Sequence, residues 1–306
     1  MVLGPTATGK TKLAVFLASK FNGEIISADS RQVFRGMDIG TGKDLNDYII
    51  KQKGKSVKIP HHLIDVVSPK TEFNVAKYQK LAYSAIEDIL RRNKLPILVG
   101  GTGLYLDAVI YGYDFANQST KKELDIVREK LNKLTLKQLL KKLEKVDPET
   151  FKVIDQNNRR RVQRALEIYY QTGQRKSELN IRKKPDYEVL ILGVKFPLEE
   201  IYQKIGKRLR ERIAEGMIEE VKKLHDRGVS WKRLEDFGLE YRYVSRYLRG
   251  VINKEEMLEQ LEREIRRFSK RQLTWFKRNS DINWLTGENL KEKISQAEKK
   301  VKKFTN

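Results

Sequence analysis

Gly4-Pro-Thr-Ala-Thr-Gly-Lys-Thr11 is the stretch that decides the fold. It fits the phosphate-binding loop pattern G-x-x-x-x-G-K-[ST] at every position. In such a loop the glycines let backbone N–H groups surround an oxyanion, Lys10 meets the outer phosphate, and the Thr11 hydroxyl can bind Mg²⁺. An apolar start precedes the loop, and Lys12–Lys20 follows with helical apolar spacing. The sequence therefore predicts a strand, a loop that binds a diphosphate or triphosphate, and a helix.

Every residue of this loop is a candidate ligand contact, through its backbone or its side chain. The predicted diphosphate-binding residues are Gly4, Pro5, Thr6, Ala7, Thr8, Gly9, Lys10 and Thr11.

Composition limits the class of protein. The 306 residues are enough for about two domains. There is no cysteine, which excludes disulfides and thiolate-held metals. No apolar run is long enough for a membrane span and no signal peptide precedes the loop, so we expect a soluble cytoplasmic protein. The formal net charge of +22 favours a nucleic-acid partner, although a lysine-rich proteome gives the same excess.

Further apolar strands alternate with helices. Gly23–Asp29 reads as a buried strand that ends in a carboxylate, which lies beside the phosphate loop or simply caps a helix. Leu95–Val99 is a second such strand, and Gly100-Gly-Thr-Gly103 after it brings amides and the Thr102 hydroxyl to the same sheet edge. Tyr187–Val194 is the last clear strand. This alternation predicts an α/β fold with a doubly wound parallel sheet.

Two other segments carry polar groups. The glycine-rich loop Phe34–Lys43 can bring its backbone, Asp38 and Lys43 toward a ligand, although such loops are usually only turns. Neighbouring His61 and His62 point to opposite faces of a short strand, and no third ligand lies at a useful spacing, so we interpret them as structural.

From Asn117 the sequence becomes helical and highly charged. Asn157–Ile168 carries four arginines in six positions, and a helix places Arg160, Arg161 and Arg164 within one turn. Guanidinium groups bind phosphates well, and few acids are nearby in sequence, so an RNA or phosphate contact is favoured over a solvated helix face. The region after Pro197 is predicted to be helical, with Lys291–Lys303 as a solvated terminal helix.

Together these motifs resemble the tRNA dimethylallyltransferases, also called tRNA isopentenyltransferases, of the IPP transferase family. The order and spacing of the motifs agree over nearly the whole chain. The stretches that carry the resemblance are Gly4–Thr11, Ile25–Lys43, Pro60–Asp65, Val99–Tyr105, Arg160–Ile168 and Lys270–Phe276.

The resemblance implies transfer of a dimethylallyl group from dimethylallyl diphosphate to the exocyclic N6 amine of the adenine immediately 3′ of the anticodon. It implies a P-loop NTPase-like core, with the diphosphate in the phosphate loop and Mg²⁺ on Thr11. The implied catalytic residues are Asp29 as the base, Thr102 and Arg208. The implied tRNA contacts are Asp29, Ser30, Arg31, Gln32 (which reads the target adenine), Thr102, Arg160, Arg161, Val162, Gln163 and Arg164.

The resemblance also implies a domain plan. We expect a catalytic core formed by residues 1–114 and 183–306, whose C-terminal part is mainly helical, with residues 115–182 as a helical insertion that grips the tRNA anticodon stem-loop. A monomer is expected. Gly238–Tyr243 departs from the Gly-Tyr followed by a polar pair that is usual in the family, and residues 117–141 form a shorter, more lysine-rich insertion than is common.

Three alternatives remain open from the residues alone. A nucleotide or small-molecule kinase would use the same loop for ATP and would not need the arginine cluster. An adenylate isopentenyltransferase would modify free nucleotide without RNA. A non-enzymatic RNA-binding protein would use the phosphate loop as a nucleotide-gated switch.

Overall fold

The computed structural model describes residues 1–52, 54–113, 121–178 and 186–305. The strands are β1 (Val2–Leu3), β2 (Gly23–Ala28), β3 (Ile49–Gln52), β4 (Lys55–Lys58), β5 (His61–His62), β6 (Leu95–Gly100), β7 (Leu192–Val194) and β8 (Asn283–Leu285). The helices are α1 (Lys10–Lys20), α2 (Val75–Arg91), α3 (Gly103–Tyr111), α4 (Lys121–Asn132), α5 (Leu136–Val146), α6 (Pro148–Val153), α7 (Arg159–Thr172), α8 (Leu198–Ala214), α9 (Met217–Asp226), α10 (Trp231–Phe237), α11 (Leu239–Leu248), α12 (Lys254–Phe276) and α13 (Leu290–Thr305).

The chain divides into two compact units. The larger unit combines Met1–Val109 with Tyr187–Asn306, and the smaller unit is Ile110–Asp186. The predicted domain boundaries, at 114/115 and 182/183, lie outside the described residues.

The larger unit is built on a six-stranded parallel sheet in the order β5-β2-β6-β1-β7-β8. The strand before the phosphate loop, β1, is central, with β6 on one side and β7 on the other. In parallel sheets the carboxyl ends of such central strands form the crevice in which ligands bind. The α/β fold with a doubly wound parallel sheet is therefore confirmed.

Strand β7 is shorter than the predicted Tyr187–Val194. Its partner β1 begins at Val2, and the residue before it, Met1, donates its amino group to the Leu190 carbonyl oxygen at 2.7 Å and accepts from the Leu192 amide at 2.9 Å.

Three strands were not predicted. Strand β8, which lies in the region after Pro197 that was predicted to be helical, extends the sheet beyond β7, and β3 and β4 form an antiparallel hairpin. Helices α10 and α11, between α9 and α12, fall in the region predicted to be helical, but the sequence did not indicate them as separate helices. These elements are short, so hydrophobic periodicity gives little warning of them.

The expectation that the terminal helix is merely solvated is wrong. In α13 the side chains of Lys293, Ala297 and Val301 are buried. Its first residue, Leu290, contacts Gly9 of the phosphate loop, where an added Cβ would lie 3.0 Å from Leu290 Cδ2. The helix therefore packs against the loop and α1.

The two neighbouring histidines are structural, as predicted. His62 Nε2 lies 2.8 Å from Glu24 Oε2, whereas His61 packs against the ring of Tyr48. Buried Glu24 also accepts hydrogen bonds from Arg92 and Lys94. The Arg92 guanidinium is the main reason that the pKa of Glu24 is held well below its usual range.

The smaller unit has its own hydrophobic core. Helices α4 to α7 pack around it, and its fully buried members are Leu131, Leu139, Leu143, Val162, Ala165 and Leu166. Asp147 caps α6, accepting from the Thr150 amide at 3.0 Å. In neither unit is any helix of the described ranges long and apolar enough to cross a membrane.

Candidate active site

The phosphate loop joins β1 to α1 in a conformation that its sequence makes possible. Gly9 and Ala7 both have positive φ, at 75° and 63°. A Cβ on Gly4 would overlap the carbonyl oxygen of Val194 on the neighbouring strand. The Thr8 hydroxyl donates to the Pro5 carbonyl oxygen at 2.9 Å and so closes the loop from inside. The backbone amides and the start of α1 are thereby held for an anion.

Lys10, the first residue of α1, carries the central cation of the site. Its ammonium donates to the Pro5 carbonyl oxygen at 3.2 Å. Burial, with a smaller contribution from the nearby Arg208 charge, lowers the pKa of Lys10 to about 8, and Asp29 opposes the shift. A bound anion would supply the negative charge that this ammonium lacks in the free site.

Two guanidinium groups of α8 lie beside Lys10. Arg208 donates through Nη2 to the Thr6 hydroxyl, and burial together with the Arg212 charge lowers the pKa of Arg208 to about 10. Arg212 is 5% exposed and lies 3.6 Å from Asp44 Oδ2 and 3.9 Å from Glu240 Oε1. Sequence reasoning missed Arg212; its only signal was a position one helical turn after Arg208.

Asp29 follows β2 and faces this cluster of cations. Its Oδ1 accepts from the Arg31 amide at 2.8 Å and from the Gln32 amide at 3.3 Å. The Thr102 hydroxyl oxygen accepts from the Ser30 amide at 3.2 Å, which ties the end of β2 to the start of α3. Asp29 therefore both caps the local turn and lies beside the phosphate loop, so the two sequence interpretations hold together.

Two cavities meet at these residues. The larger is about 290 Å³ and extends toward α11 and α12, and the smaller is about 110 Å³ and lies against the phosphate loop. Both are lined by Thr6, Lys10, Asp29, Thr41, Arg208 and Arg212. Three cations and one carboxylate therefore stand where the cavities join.

The smaller cavity also contains oxygen groups suited to a metal. Thr11, Asp44 and Asp47 line it. Within the described ranges no three His, Cys, Asp or Glu side chains converge as a metal site. Hydroxyl and carboxylate oxygens suit Mg²⁺, which commonly takes one or two protein ligands and completes its shell with water and phosphate oxygens. The residues present fit that mode of binding.

The wall of the larger cavity is held by side chains from distant parts of the chain. Gln272 of α12 accepts from the Thr6 amide at 2.9 Å and donates to the Gly101 carbonyl oxygen at 2.8 Å. The Arg31 guanidinium lies 5.6 Å from the centroid of the Phe237 ring. Ser30, Arg31 and Thr102 line this cavity with Asp29, so the structure brings these predicted residues together.

Gln32 lines the smaller cavity, but its side chain is engaged within the protein. It accepts from the Ser27 hydroxyl at 2.9 Å and donates to the Gly42 carbonyl oxygen at 3.0 Å. Reading a base with this amide would require at least one of these bonds to exchange.

Lys43 does not point toward a ligand. Its ammonium is buried and donates to Asp38 Oδ1 at 2.6 Å, to Asp65 Oδ1 at 2.5 Å and to the Phe34 carbonyl oxygen at 2.8 Å. The idea that Lys43 and Asp38 reach a ligand is therefore wrong. The lysine instead fastens the glycine-rich loop to the loop after β5.

The arginine cluster of α7 is divided in its use. Arg164 Nη1 lies 3.0 Å from Glu167 Oε2, and this buried carboxylate also receives Arg128. Arg160 and Arg161 are exposed and make no side-chain ion pair among the described residues. Acidic residues are few near this run of arginines in the sequence, but one of them, Glu167, is an effective partner for Arg164.

Two further residues of α7 that were predicted to contact RNA, Val162 and Gln163, are engaged in contacts within the smaller unit. Val162 is fully buried in the core, so its side chain is not available to a ligand. Gln163 is half-buried and donates to Asn132 Oδ1 at 3.0 Å.

Comparison with known proteins places the chain in a family. A model described as IPP transferase matches residues 32–279. The chain is 46% identical over 304 residues to tRNA dimethylallyltransferase 1 of Syntrophus aciditrophicus (strain SB), covering 96% of both chains. Its fold is similar to the full-length tRNA isopentenylpyrophosphate transferase of Bacillus halodurans, with TM-score 0.70, 37% identity, and coverage of 99% of this chain and 94% of that one.

A eukaryotic dimethylallyltransferase, in crystal structures that capture it acting on tRNA, is similar at TM-score 0.78 and 29% identity. The match covers 98% of this chain and 76% of that chain. The resemblance seen in the sequence motifs is confirmed: the chain belongs to the IPP transferase family.

Proposed function

We propose that the chain transfers a dimethylallyl group from dimethylallyl diphosphate to the exocyclic N6 amine of the adenine immediately 3′ of the anticodon in tRNA. The products are N6-isopentenyladenosine and diphosphate. The observation that carries the proposal is the junction of the two cavities, where Asp29 faces Lys10, Arg208 and Arg212. A base and a group of anion-binding cations at one point suit displacement of a diphosphate by a weakly acidic amine.

The smaller cavity takes the diphosphate in this proposal. The loop amides, Lys10, Arg208 and Arg212 surround it with fixed positive charge before the reaction begins. Charge on the departing diphosphate rises as its bond to carbon breaks, so these groups bind the transition state more tightly than the substrate. Thr11 would hold Mg²⁺, which would neutralise part of the same charge.

The larger cavity takes the adenine. The N6 nitrogen attacks C1 of the dimethylallyl group, the C1–O bond breaks, and the N6 proton passes to Asp29. Oδ1 of Asp29 already accepts two backbone N–H groups, and among the described residues no hydrogen bond engages Oδ2. The free oxygen is the proton acceptor. The Thr102 hydroxyl accepts from Ser30 N and keeps its own proton to donate to the substrate.

The tRNA is the acceptor that best accounts for the cations outside the cavities. Arg160 and Arg161 of α7 are exposed without ion-pair partners among the described residues, as phosphate contacts require. The adenine would have to leave its stack to enter the larger cavity, and this extrusion supports selection of one base. The same proposal places a monomeric enzyme in the cytoplasm.

The test is incorporation of labelled dimethylallyl diphosphate into unmodified tRNA, with AMP as a competing acceptor and ATP hydrolysis as a control. Label in tRNA at the adenine 3′ of the anticodon supports the proposal. Label in AMP alone would assign the chain to free-nucleotide prenylation. Phosphate release from ATP without any label would assign it to the kinase or switch alternatives.

Asp29→Asn separates catalysis from binding. The amide cannot accept the N6 proton as a carboxylate does, so turnover is expected to fall about 10²–10⁴-fold. Calorimetric affinity for inorganic diphosphate and tRNA affinity should stay within about threefold of the unchanged protein, because Asp29 is not one of the cations. Turnover near the unchanged level would remove Asp29 from the role of base.

A further inference from the structure

A loop without regular secondary structure walls both cavities. Residues 37–43 lie between β2 and β3, and Gly42 has a φ of 62°. Gly40 and Thr41 line the larger cavity, and Thr41 and Gly42 line the smaller. Three glycines in Gly36–Lys43 give the unfolded segment high conformational freedom, so contacts with the rest of the fold must hold the loop in one conformation.

One carboxylate on α9 captures three successive amides of this loop. Glu220 Oε2 accepts from the Asp38 amide at 2.8 Å and from the Ile39 amide at 2.6 Å. Oε1 accepts from the Gly40 amide at 3.1 Å. Among the described residues these three amides have no other acceptor. Charge-assisted bonds of this kind are stronger than bonds between neutral groups.

The carboxylate is itself fixed from α11. Tyr241 is 1% exposed and donates its hydroxyl to Glu220 Oε1 at 2.8 Å. Gly40 packs directly on that ring, where an added Cβ would lie 2.8 Å from the Tyr241 hydroxyl oxygen. Tyr241 and the two residues before it, Leu239 and Glu240, line the larger cavity. The loop and α11 are therefore held at one common point.

The loop in turn contacts an anion-binding cation. A Cβ added to Gly42 would overlap the Arg212 guanidinium, so the loop backbone lies flat against that group. Movement of the loop away from α9 would remove one wall of the smaller cavity, beside Arg212. It would also carry Thr41 out of both cavities.

We propose that Glu220, held by Tyr241, is a positioning residue that fixes the loop 37–43 and thereby shapes the diphosphate site. This rests on the proposed function in assigning the smaller cavity to diphosphate. Glu220 touches no substrate; it acts through the loop backbone and the Arg212 side chain.

The test compares three variants of the full chain. Glu220→Gln keeps the size of the side chain but turns an NH₂ group toward backbone donors, so at least one loop amide loses its acceptor. Tyr241→Phe removes only the bond that fixes the carboxylate. Glu219→Gln, one residue earlier on an exposed part of α9, is the matched control for lost charge.

We measure the dissociation constant of inorganic diphosphate with Mg²⁺ by calorimetry, and kcat and KM for dimethylallyl diphosphate. Hydrogen exchange reports on the amides of residues 38–40. For Glu220→Gln we expect the dissociation constant and KM to rise together about tenfold with kcat within about threefold, since binding in the ground and transition states is lost alike. Loop exchange should quicken about tenfold or more while the α9 amides keep their protection.

Tyr241→Phe should show the same pattern at about two- to threefold, and Glu219→Gln no change in any of the three measurements. A Glu220→Gln protein that melts earlier yet binds diphosphate normally would show a merely structural role and overturn the inference. If Glu220→Gln does not fold, an unchanged diphosphate affinity in Tyr241→Phe overturns it instead.

The inference and the proposed function fail separately. If the unchanged protein binds diphosphate but does not prenylate tRNA, the function is wrong, and the diphosphate affinities of the variants still decide the role of Glu220. If the unchanged protein binds no diphosphate, there is no site for the loop to shape, and the inference is overturned.

Discussion

Lys10 shows how one buried cation can make substrate binding depend on pH. Burial lowers the pKa of Lys10 to about 8, so its charge is present below that pH and lost above it. Dimethylallyl diphosphate should therefore bind more weakly as the pH rises through about 8, by about tenfold for each pH unit once the ammonium is mostly deprotonated.

Calorimetry between about pH 6.5 and pH 9.5 checks this expectation. The control is Lys10→Met, whose affinity should be low throughout and show no step near pH 8. A step of equal size in that variant would mean that another group titrates.

At the level of the element, α7 combines two functions that its sequence does not separate. Arg159 and Arg164 stabilise the smaller unit: Arg159 donates to the carbonyl oxygens of Leu131 and Asn132, and Arg164 pairs with buried Glu167. Arg160 and Arg161 are free of such bonds within the described part of the chain. Substitutions within this one run of arginines are therefore expected to have two different effects, on tRNA binding and on stability.

The double variant Arg160→Ala/Arg161→Ala should weaken tRNA binding about tenfold or more and reduce the slope of log affinity against log salt by about 2, because two phosphate contacts are lost. Its melting temperature should not change. Filter binding across a salt series and thermal melting measure the two effects.

Arg164→Ala should instead lower the free energy of unfolding by about 1–3 kcal/mol, because Glu167 stays buried with one partner fewer.

The control for Arg160→Ala/Arg161→Ala is Lys299→Ala/Lys302→Ala, which removes the same charge from exposed positions of α13. Equal losses of tRNA affinity in both double variants would refute a specific role for α7.

The edge of the sheet depends on a second buried carboxylate. Glu24 of β2 receives Arg92 from the end of α2, Lys94 from before β6 and His62 from β5. Because the Arg92 guanidinium and its neighbours depress the pKa of Glu24, ionised Glu24 stabilises the fold above its unfolded pKa of about 4.5. That contribution is lost as the pH falls below this value.

Glu24→Gln should therefore lower the free energy of unfolding by about 1–3 kcal/mol at neutral pH and show a smaller further loss in acid than the unchanged protein. Denaturant titrations at about pH 7 and pH 4 measure both quantities. The comparison is Glu259→Gln on an exposed position of α12. The role given to Glu24 is wrong if the two variants lose the same stability.

For the whole molecule, the net charge of +22 predicts how tRNA arrives. Long-range attraction raises association rates and is screened within about 10 Å at 0.1 M salt. The association rate constant with tRNA should fall about tenfold or more between about 0.05 and 0.3 M salt, with a smaller change in the dissociation rate. Stopped-flow mixing measures both rates, and a salt-independent association rate would contradict steering by charge.

Local patterns in the sequence determined the fold class and the family of this protein. The phosphate loop and the apolar runs of β2 and β6 each rest on neighbouring residues, whose propensities and spacing are visible along the chain. The same patterns placed Asp29 and Thr102 at one sheet edge, because parallel strands end together. The pairing of the motifs was enough to identify the family.

Only the tertiary structure decided which charged groups serve the site and which serve the fold. Lys43 pairs with Asp38 and Asp65, whereas Arg212 lies among the cations of the site. Glu220 accepts hydrogen bonds from amides about 180 residues away in sequence. These assignments depend on distances between segments and on burial, and a single sequence specifies neither of them directly. A run of basic residues has the same sequence whether its side chains pair with a carboxylate or bind a phosphate. Which of these roles each residue has is decided only by the packing of the folded chain.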